Sequence, residues 1–170
     1  MTLTNVKYLV VHCSGTPPED TSVDALYLNM VHKGFGLTKI GHHLVILQSG
    51  AIQRGRNEDE IGQHAPGFDD ISLSVCLIGG LHPTEAIIRS GRTIRKAWPY
   101  YSEEQLDSLK IILDSWKATW PQAKIVGHGN LNKKKSCPGF DVAQWYSTGE
   151  IIPTIKMAYP LGVIPGDAVT

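Results

Sequence analysis

The sequence has no excess charge of either sign: sixteen Lys and Arg side chains stand against sixteen Asp and Glu. No global field therefore gathers nucleic acid or an anionic membrane around it. It has no unbroken apolar stretch long enough to cross a bilayer. The N-terminus, Met1 to Lys7, lacks a basic segment leading into an apolar one, so synthesis in the cytoplasm without a secretory leader is the expectation. Cysteine is scarce, and three thiols cannot all pair or make a disulfide scaffold in a chain of this size. There is no internal repeat or low-complexity block, and 170 residues leave little room for a second binding module. What remains is a water-soluble globular domain, taken as a monomer, with neither nucleic acid nor membrane as a partner.

The elements follow from the apolar pattern. Tyr8-Leu9-Val10-Val11 is a continuous β-branched run suited to a strand buried on both faces, and Ser14-Gly15-Thr16-Pro17-Pro18 ends it. Asp20-Thr21-Ser22 offers a cap to a short amphipathic helix that stops at Lys33-Gly34. Residues 43–47 and 51–54 read as a hairpin with His42 at its start, and residues 73–78 as a further apolar strand. Ser102-Glu103-Glu104-Gln105 caps the longest helix, whose stripe is Leu106, Leu109, Ile112, Leu113 and Trp116. Lys124 to His128 reads as a buried strand ending in a histidine, and residues 140–146 as the start of a last helix. This order implies an α/β fold, one domain over residues 1–170, with a mixed central β-sheet flanked by helices. The core spans about 6–147, residues 81–101 form a surface excursion without a clean period, and about 153–170 form a tail. The cations of the excursion, Arg89, Arg92, Arg95 and Lys96, are read as a solvated face.

His12 and His128 each close an apolar strand, and Cys137 follows the second nine residues later in Lys135-Ser136-Cys137-Pro138-Gly139. A turn-forming context beside a cation favours a thiolate. Cys13 and Cys76, inside strand-like runs, suit buried inert thiols. If the two strands are neighbours, both histidines and Cys137 meet at one rim of the sheet. Zinc accepts such nitrogen and sulfur ligands in a tetrahedron, and three of them leave one position open for catalysis. The spacing matches no compact zinc signature, and a lone histidine at a strand end is ordinarily a hydrogen-bonded structural residue.

Five segments occur in a telling order: Val10-Val11-His12-Cys13-Ser14-Gly15-Thr16, Gly41-His42-His43-Leu44-Val45-Ile46, Gly50-Ala51-Ile52-Gln53-Arg54-Gly55-Arg56, Ile61-Gly62-Gln63-His64-Ala65 and Cys137-Pro138-Gly139-Phe140-Asp141. In order and spacing the chain resembles the zinc-dependent N-acetylmuramoyl-L-alanine amidases, the family of the phage-lysozyme-like enzymes and the peptidoglycan-recognition proteins. The resemblance implies their mixed-sheet amidase fold, one Zn²⁺ on His12, His128 and Cys137, and a catalytic lysine at Lys135. It implies further that His64 lines the substrate groove, and that Arg56 is structural or touches the peptide stem. His42 stands where the phage-type enzymes carry a catalytic tyrosine; imidazole exchanges protons near neutrality and is expected to assist the reaction in its place. A second departure is Asp69-Asp70-Ile71-Ser72-Leu73-Ser74, where relatives more often carry Asn ahead of the strand.

The activity so implied is hydrolysis of the lactyl-L-alanine amide of bacterial peptidoglycan, in the service of a phage or prophage as a wall-lysing endolysin. Such an enzyme is made in the cytoplasm of the infected cell and acts on the wall after release. A cytoplasmic wall-recycling amidase would cut the same bond but fits the cysteine ligand less well. The alternative class is a noncatalytic recognition module that holds muropeptide, which some relatives become when a zinc ligand is missing. An RNA polymerase partner, a second role within the family, gains no support from a neutral charge and a divergent N-terminus.

Overall fold

The computed structural model describes residues 2–89, 91–154 and 159–160. Its centre is the first strand, β1 (Tyr8–Cys13), buried from Leu9 onward. The helix α1 (Ala25–Gly34) follows, then the short strands β2 (Leu44–Ile46) and β3 (Ile52–Arg54), a 3₁₀ turn at Asp69–Ile71 and strand β4 (Ser72–Leu77). Strands β5 (Leu81–Arg89) and β6 (Arg92–Ala97) precede the long helix α2 (Glu103–Thr119). The chain continues with β7 (Lys124–Gly127), α3 (His128–Leu131), α4 (Val142–Thr148) and a two-residue strand β8 (Tyr159–Pro160). The main sheet has the order β3-β2-β4-β1-β7. All neighbours are parallel except the β2–β3 hairpin, so the mixed sheet expected from the element order is present.

Parallel strands are normally covered on both faces. Here Leu9, Val11, Leu44, Ile46, Leu73, Val75 and Leu77 form one core with Leu109, Ile112, Leu113 and Trp116 of α2 and with Val142 and Trp145 of α4. The opposite face carries Val45, Cys76 and Ile78 against Leu28 of α1 and against Val23 and Ile40. Alternation along each strand sends successive side chains to opposite layers. With Leu9, Val11, Leu73, Val75 and Leu77 toward α2, the intervening His12, Ser72, Ser74 and Cys76 take the α1 side. That division gathers the polar side chains of these two strands in one layer.

Local signals explain the helices. Ser102 accepts from the Gln105 N–H, and the Gln105 side chain closes a capping box while its amide donates to the Ile46 and Ile78 carbonyls at 3.2 and 2.9 Å. The cap of α1 is Asp24, whose side chain accepts from the Tyr27 N–H at 2.8 Å, and not the Asp20-Thr21-Ser22 stretch. Those residues close their own Asx turn, with Asp20 accepting from the Ser22 backbone. The hairpin turn needs Gly50 at φ +82, where a Cβ would also meet the Glu104 carbonyl oxygen at 2.7 Å.

Two expectations differ from the structure. Strand β7 is half-exposed rather than buried, because among the described residues it pairs with β1 alone, at the end of the strand order; His128 begins α3 instead of ending the strand. The excursion is not a bare loop. Strands β5 and β6 form an antiparallel hairpin joined by β8 in a second sheet, with Leu81 and Ala97 buried together at its base. Pro83 and a register shift between Leu81 and Ala86 obscure its alternation in the sequence. Of the tail, residues 155–158 and 161–170 lie outside the described residues. No helix among the described residues is long and apolar enough to cross a membrane.

The α2 layer is the main apolar support, so Leu113→Ala, at a side chain with no exposure, is expected to lower the unfolding free energy by about 2–5 kcal/mol. Ile111→Ala on the exposed side of the same helix should change it by roughly 0.5 kcal/mol or less. Urea denaturation of the two variants checks this; equal effects would contradict the assigned packing.

Candidate metal centre

His12 lies one residue before the end of the central strand, and Val11 is in register with Gly127 of β7. The chain therefore delivers His128 beside His12, their ring centroids 4.5 Å apart. Cys137 comes back over the end of β1 on the loop after α3. Its Sγ accepts the Cys13 N–H at 2.9 Å, and its carbonyl accepts the Gly129 N–H at 2.9 Å. Gly129 is required there, since a Cβ would stand 2.8 Å from the Lys135 carbonyl oxygen. Tyr101, which sequence reasoning did not single out, ties the loop down by donating to the Pro138 carbonyl at 2.7 Å.

The donor atoms of His12, His128 and Cys137 all lie within 4.8 Å of one another, and the three residues are buried. Among the described residues no fourth His, Cys, Asp or Glu completes this group. His12 Nδ1 and His128 Nδ1 are buried without a hydrogen-bond partner, a condition that ordinarily destabilises a fold by about 1–3 kcal/mol per group. Two bare imidazole nitrogens close to a cysteine sulfur form a donor set that could hold a metal ion and suits zinc.

Around this group the protein gathers more imidazoles than the sequence suggests. His42, 3% exposed, has its ring 4.8 Å from that of His12, and its Nδ1 is likewise buried and unpartnered. His32 of α1, not foreseen in the sequence, accepts the Gly41 N–H on Nδ1 at 2.9 Å and packs 5.5 Å from His42. His43 is a structural histidine: Nε2 donates to the Glu60 carbonyl at 2.9 Å while Nδ1 accepts the Ser74 N–H at 3.1 Å. With His64, six of the seven histidines share one layer. The seventh, His82, sits in the β5–β6 hairpin.

Burial is the first cause that keeps these rings neutral. His12 is held well below its ordinary value by burial and then by repulsion from His128, His42, His64 and His32. His42 and His64 are also well below theirs, again chiefly through burial. His128 is lowered to about 4, by burial and then by the charge of Lys135. Neutral imidazoles keep a lone pair for a cation, which a protonated ring does not.

Lys135, half-buried, lines a cavity of about 190 Å³ together with Cys137, Asn130 and Asp141. His64, expected to line the substrate groove, and Arg56, expected to be structural or to touch the peptide stem, are both buried. His64 has no exposed surface, and its ring faces His12 and Ser72. Arg56, 8% exposed, donates from Nε to the Ile40 carbonyl, from Nη1 to the Ile61 carbonyl and from Nη2 to Gln63, joining two loops behind the site. Of its two expected roles, the structural one matches this placement. A signal for the buried layer was present in Ser72-Leu73-Ser74-Val75-Cys76-Leu77: its alternation puts two serines on the histidine face as partners for buried rings.

Comparison with known proteins agrees with this geometry. Residues 2–140 match the family described as N-acetylmuramoyl-L-alanine amidase. The endolysin of Enterobacteria phage K11 is 31% identical over 144 residues, 84% of this chain and 86% of that protein. Among solved structures, the N-acetylmuramoyl-L-alanine amidase LysC from Clostridium intestinale superposes with a TM-score of 0.64 at 22% identity, over 83% of this chain and 85% of the other. A mutant of Drosophila PGRP-LB in complex with tracheal cytotoxin gives 0.65 at 23% identity, over 87% and 84%. At those identities the two structures establish the fold alone.

The neutral histidine layer has a consequence for pH. His32, which is not among the three candidate ligands, is lowered from 6.5 to about 4, by burial and then by Arg56. Between those values the unfolded chain binds more protons than the folded one, so stability rises with pH. Metal-free protein should be at full stability above pH 6.5 and lose it as the pH falls toward about 4. His32→Asn, which keeps an acceptor for Gly41, should make the loss shallower. Urea midpoints of the metal-free protein across that range test this, and a flat profile would contradict it.

Proposed function

Because the chain belongs to the N-acetylmuramoyl-L-alanine amidase family, we propose that it works as an endolysin whose single Zn²⁺ sits on His12, His128 and Cys137. The bond cut is the amide between the lactyl group of the sugar strand and the L-alanine of the stem peptide in peptidoglycan. The observation that carries the metal assignment is the pair of buried, unpartnered Nδ1 atoms beside the Cys137 sulfur. When bound, Zn²⁺ lowers the pKa of its water to roughly 7 and polarises a carbonyl oxygen.

The chain's own residues supply the rest. Lys135 brings a cation beside the site, close enough to depress His128, and its ammonium stabilises negative charge that develops on the amide oxygen and is absent from the planar ground state. His42 offers a neutral ring with Nδ1 bare and buried in the same layer. It takes a proton from the attacking water and returns it to the departing alanine nitrogen, the task given to tyrosine in the phage-type enzymes. His12, His128 and Cys137 hold position, fixed by β1, by the start of α3 and by the Cys13 N–H. The enzyme is made inside the phage-infected cell and reaches the wall after release, as expected of an endolysin.

Metal analysis should find about one zinc per chain. Mass spectrometry of digested peptidoglycan should find new alanine amino termini without new reducing sugars, and no cleavage after chelation. Reducing ends, or cleavage indifferent to chelation, would refute the proposal. Cys137→Ser should lose both zinc and activity. Lys135→Ala should keep zinc and lower kcat by about 10²–10³, and His42→Ala should keep zinc and lower kcat by about 10²–10⁴. Unchanged turnover in His42→Ala would remove that residue from the mechanism.

A further inference from the structure

The chain of hydrogen bonds behind His12 leaves no freedom in where its protons sit. Ser72 Oγ lies 2.7 Å from the Phe68 carbonyl, which can only accept, so the one hydroxyl proton points there. His64 Nε2 lies 3.3 Å from the same Oγ and must therefore be the donor of that pair. A buried neutral imidazole carries a single proton, and with that proton on Nε2, His64 Nδ1 is left as an acceptor. His12 Nε2 stands 3.0 Å from it and donates. His12, neutral in turn, has its lone pair on Nδ1, the very atom that is buried without a partner.

We propose that His64 is a positioning residue for the metal centre: by accepting the Nε2 proton of His12 it locks that ring in the tautomer and orientation that present a bare Nδ1 to the cation. The inference rests on the three-ligand zinc site proposed above and adds to it a partner with no surface for substrate.

The surroundings of His64 are built for this task. Asp69 Oδ1 accepts the N–H groups of His64 and Ala65 at 2.7 and 2.8 Å, fixing the backbone that carries the ring. A Cβ at position 62 would stand 2.5 Å from His64 Cδ2 and 3.1 Å from His43 Cε1, so the ring occupies space that only glycine leaves. The Gly62-Gln63-His64 spacing thus has a packing cause, and the serine of β4 has an electronic one. Partners behind a metal-binding imidazole fix its tautomer and tune its basicity, and their loss typically lowers metal affinity by about 10–100-fold.

Two measurements test it. Long-range ¹H–¹⁵N correlation spectra of the labelled, metal-free wild type read the tautomer directly, and both His12 and His64 should carry their proton on Nε2. Zinc affinity by chelator competition should fall by about 10–100-fold in His64→Phe, and His64→Asn, whose Oδ1 replaces the lost acceptor, should recover most of it. A proton on His12 Nδ1 in the wild type would overturn the proposal even if the Phe variant failed to fold. So would wild-type affinity in a folded His64→Phe, or equal losses in both variants, which would mean ring packing and not the acceptor matters. A wild type that binds no zinc would instead reject the three-ligand site, and the positioning role with it.

Discussion

One layer of this protein is polar, buried and built from neutral imidazoles, and the rest of the structure is arranged around that constraint. Every imidazole placed between the main sheet and α1 must find a partner for each ring nitrogen or leave it bare, because water is excluded. His43 finds the Glu60 carbonyl and Ser74, His64 finds Ser72 and His12, and His32 finds the Gly41 N–H. Among the described residues, only His12, His42 and His128 keep a buried bare nitrogen, each on Nδ1. Partnered nitrogens fix the rings, and each bare one is an exception that calls for a ligand or another explanation.

The other side of the sheet makes that layer affordable in stability. Leu9, Val11, Leu73, Val75 and Leu77 bury apolar area against α2 and α4, so the same strands that carry histidine and serine one way anchor the fold the other way. Parallel pairing of β4, β1 and β7 then sets the two histidines side by side. Val11 opposite Gly127 brings His128 next to His12, and the loop returning from α3 lands Cys137 on the Cys13 N–H. Glycines at 62 and 129 let rings and backbone approach more closely than a Cβ would permit.

Reading a sequence finds what repeats locally. The stripe on α2, its N-cap with acidic first-turn residues and the continuous run of β1 are local patterns, and each matches the structure. The half-buried state of β7 was invisible because edge position depends on what fails to pair on the far side. The β5–β6 hairpin was obscured by Pro83 and an irregular register. His32 was unremarkable as one polar residue on a short helix, since nothing local says that α1 packs over Gly41 and His42. His64 was assigned to a groove wall by its motif, and only its contacts show that it faces His12.

From residue order alone came the domain class, the candidate histidines His12 and His128, the cysteine in its cationic turn and, through the five ordered motifs, the amidase family. Those depend on composition, local period and chain order, which the one-dimensional string carries in full. Which nitrogen of each ring is bare, which histidine stands behind which, and which arginine is locked into the scaffold were decided by three-dimensional packing. A tautomer is set by the partner on the opposite side of the ring, and for His12 that partner lies 52 positions away along the chain.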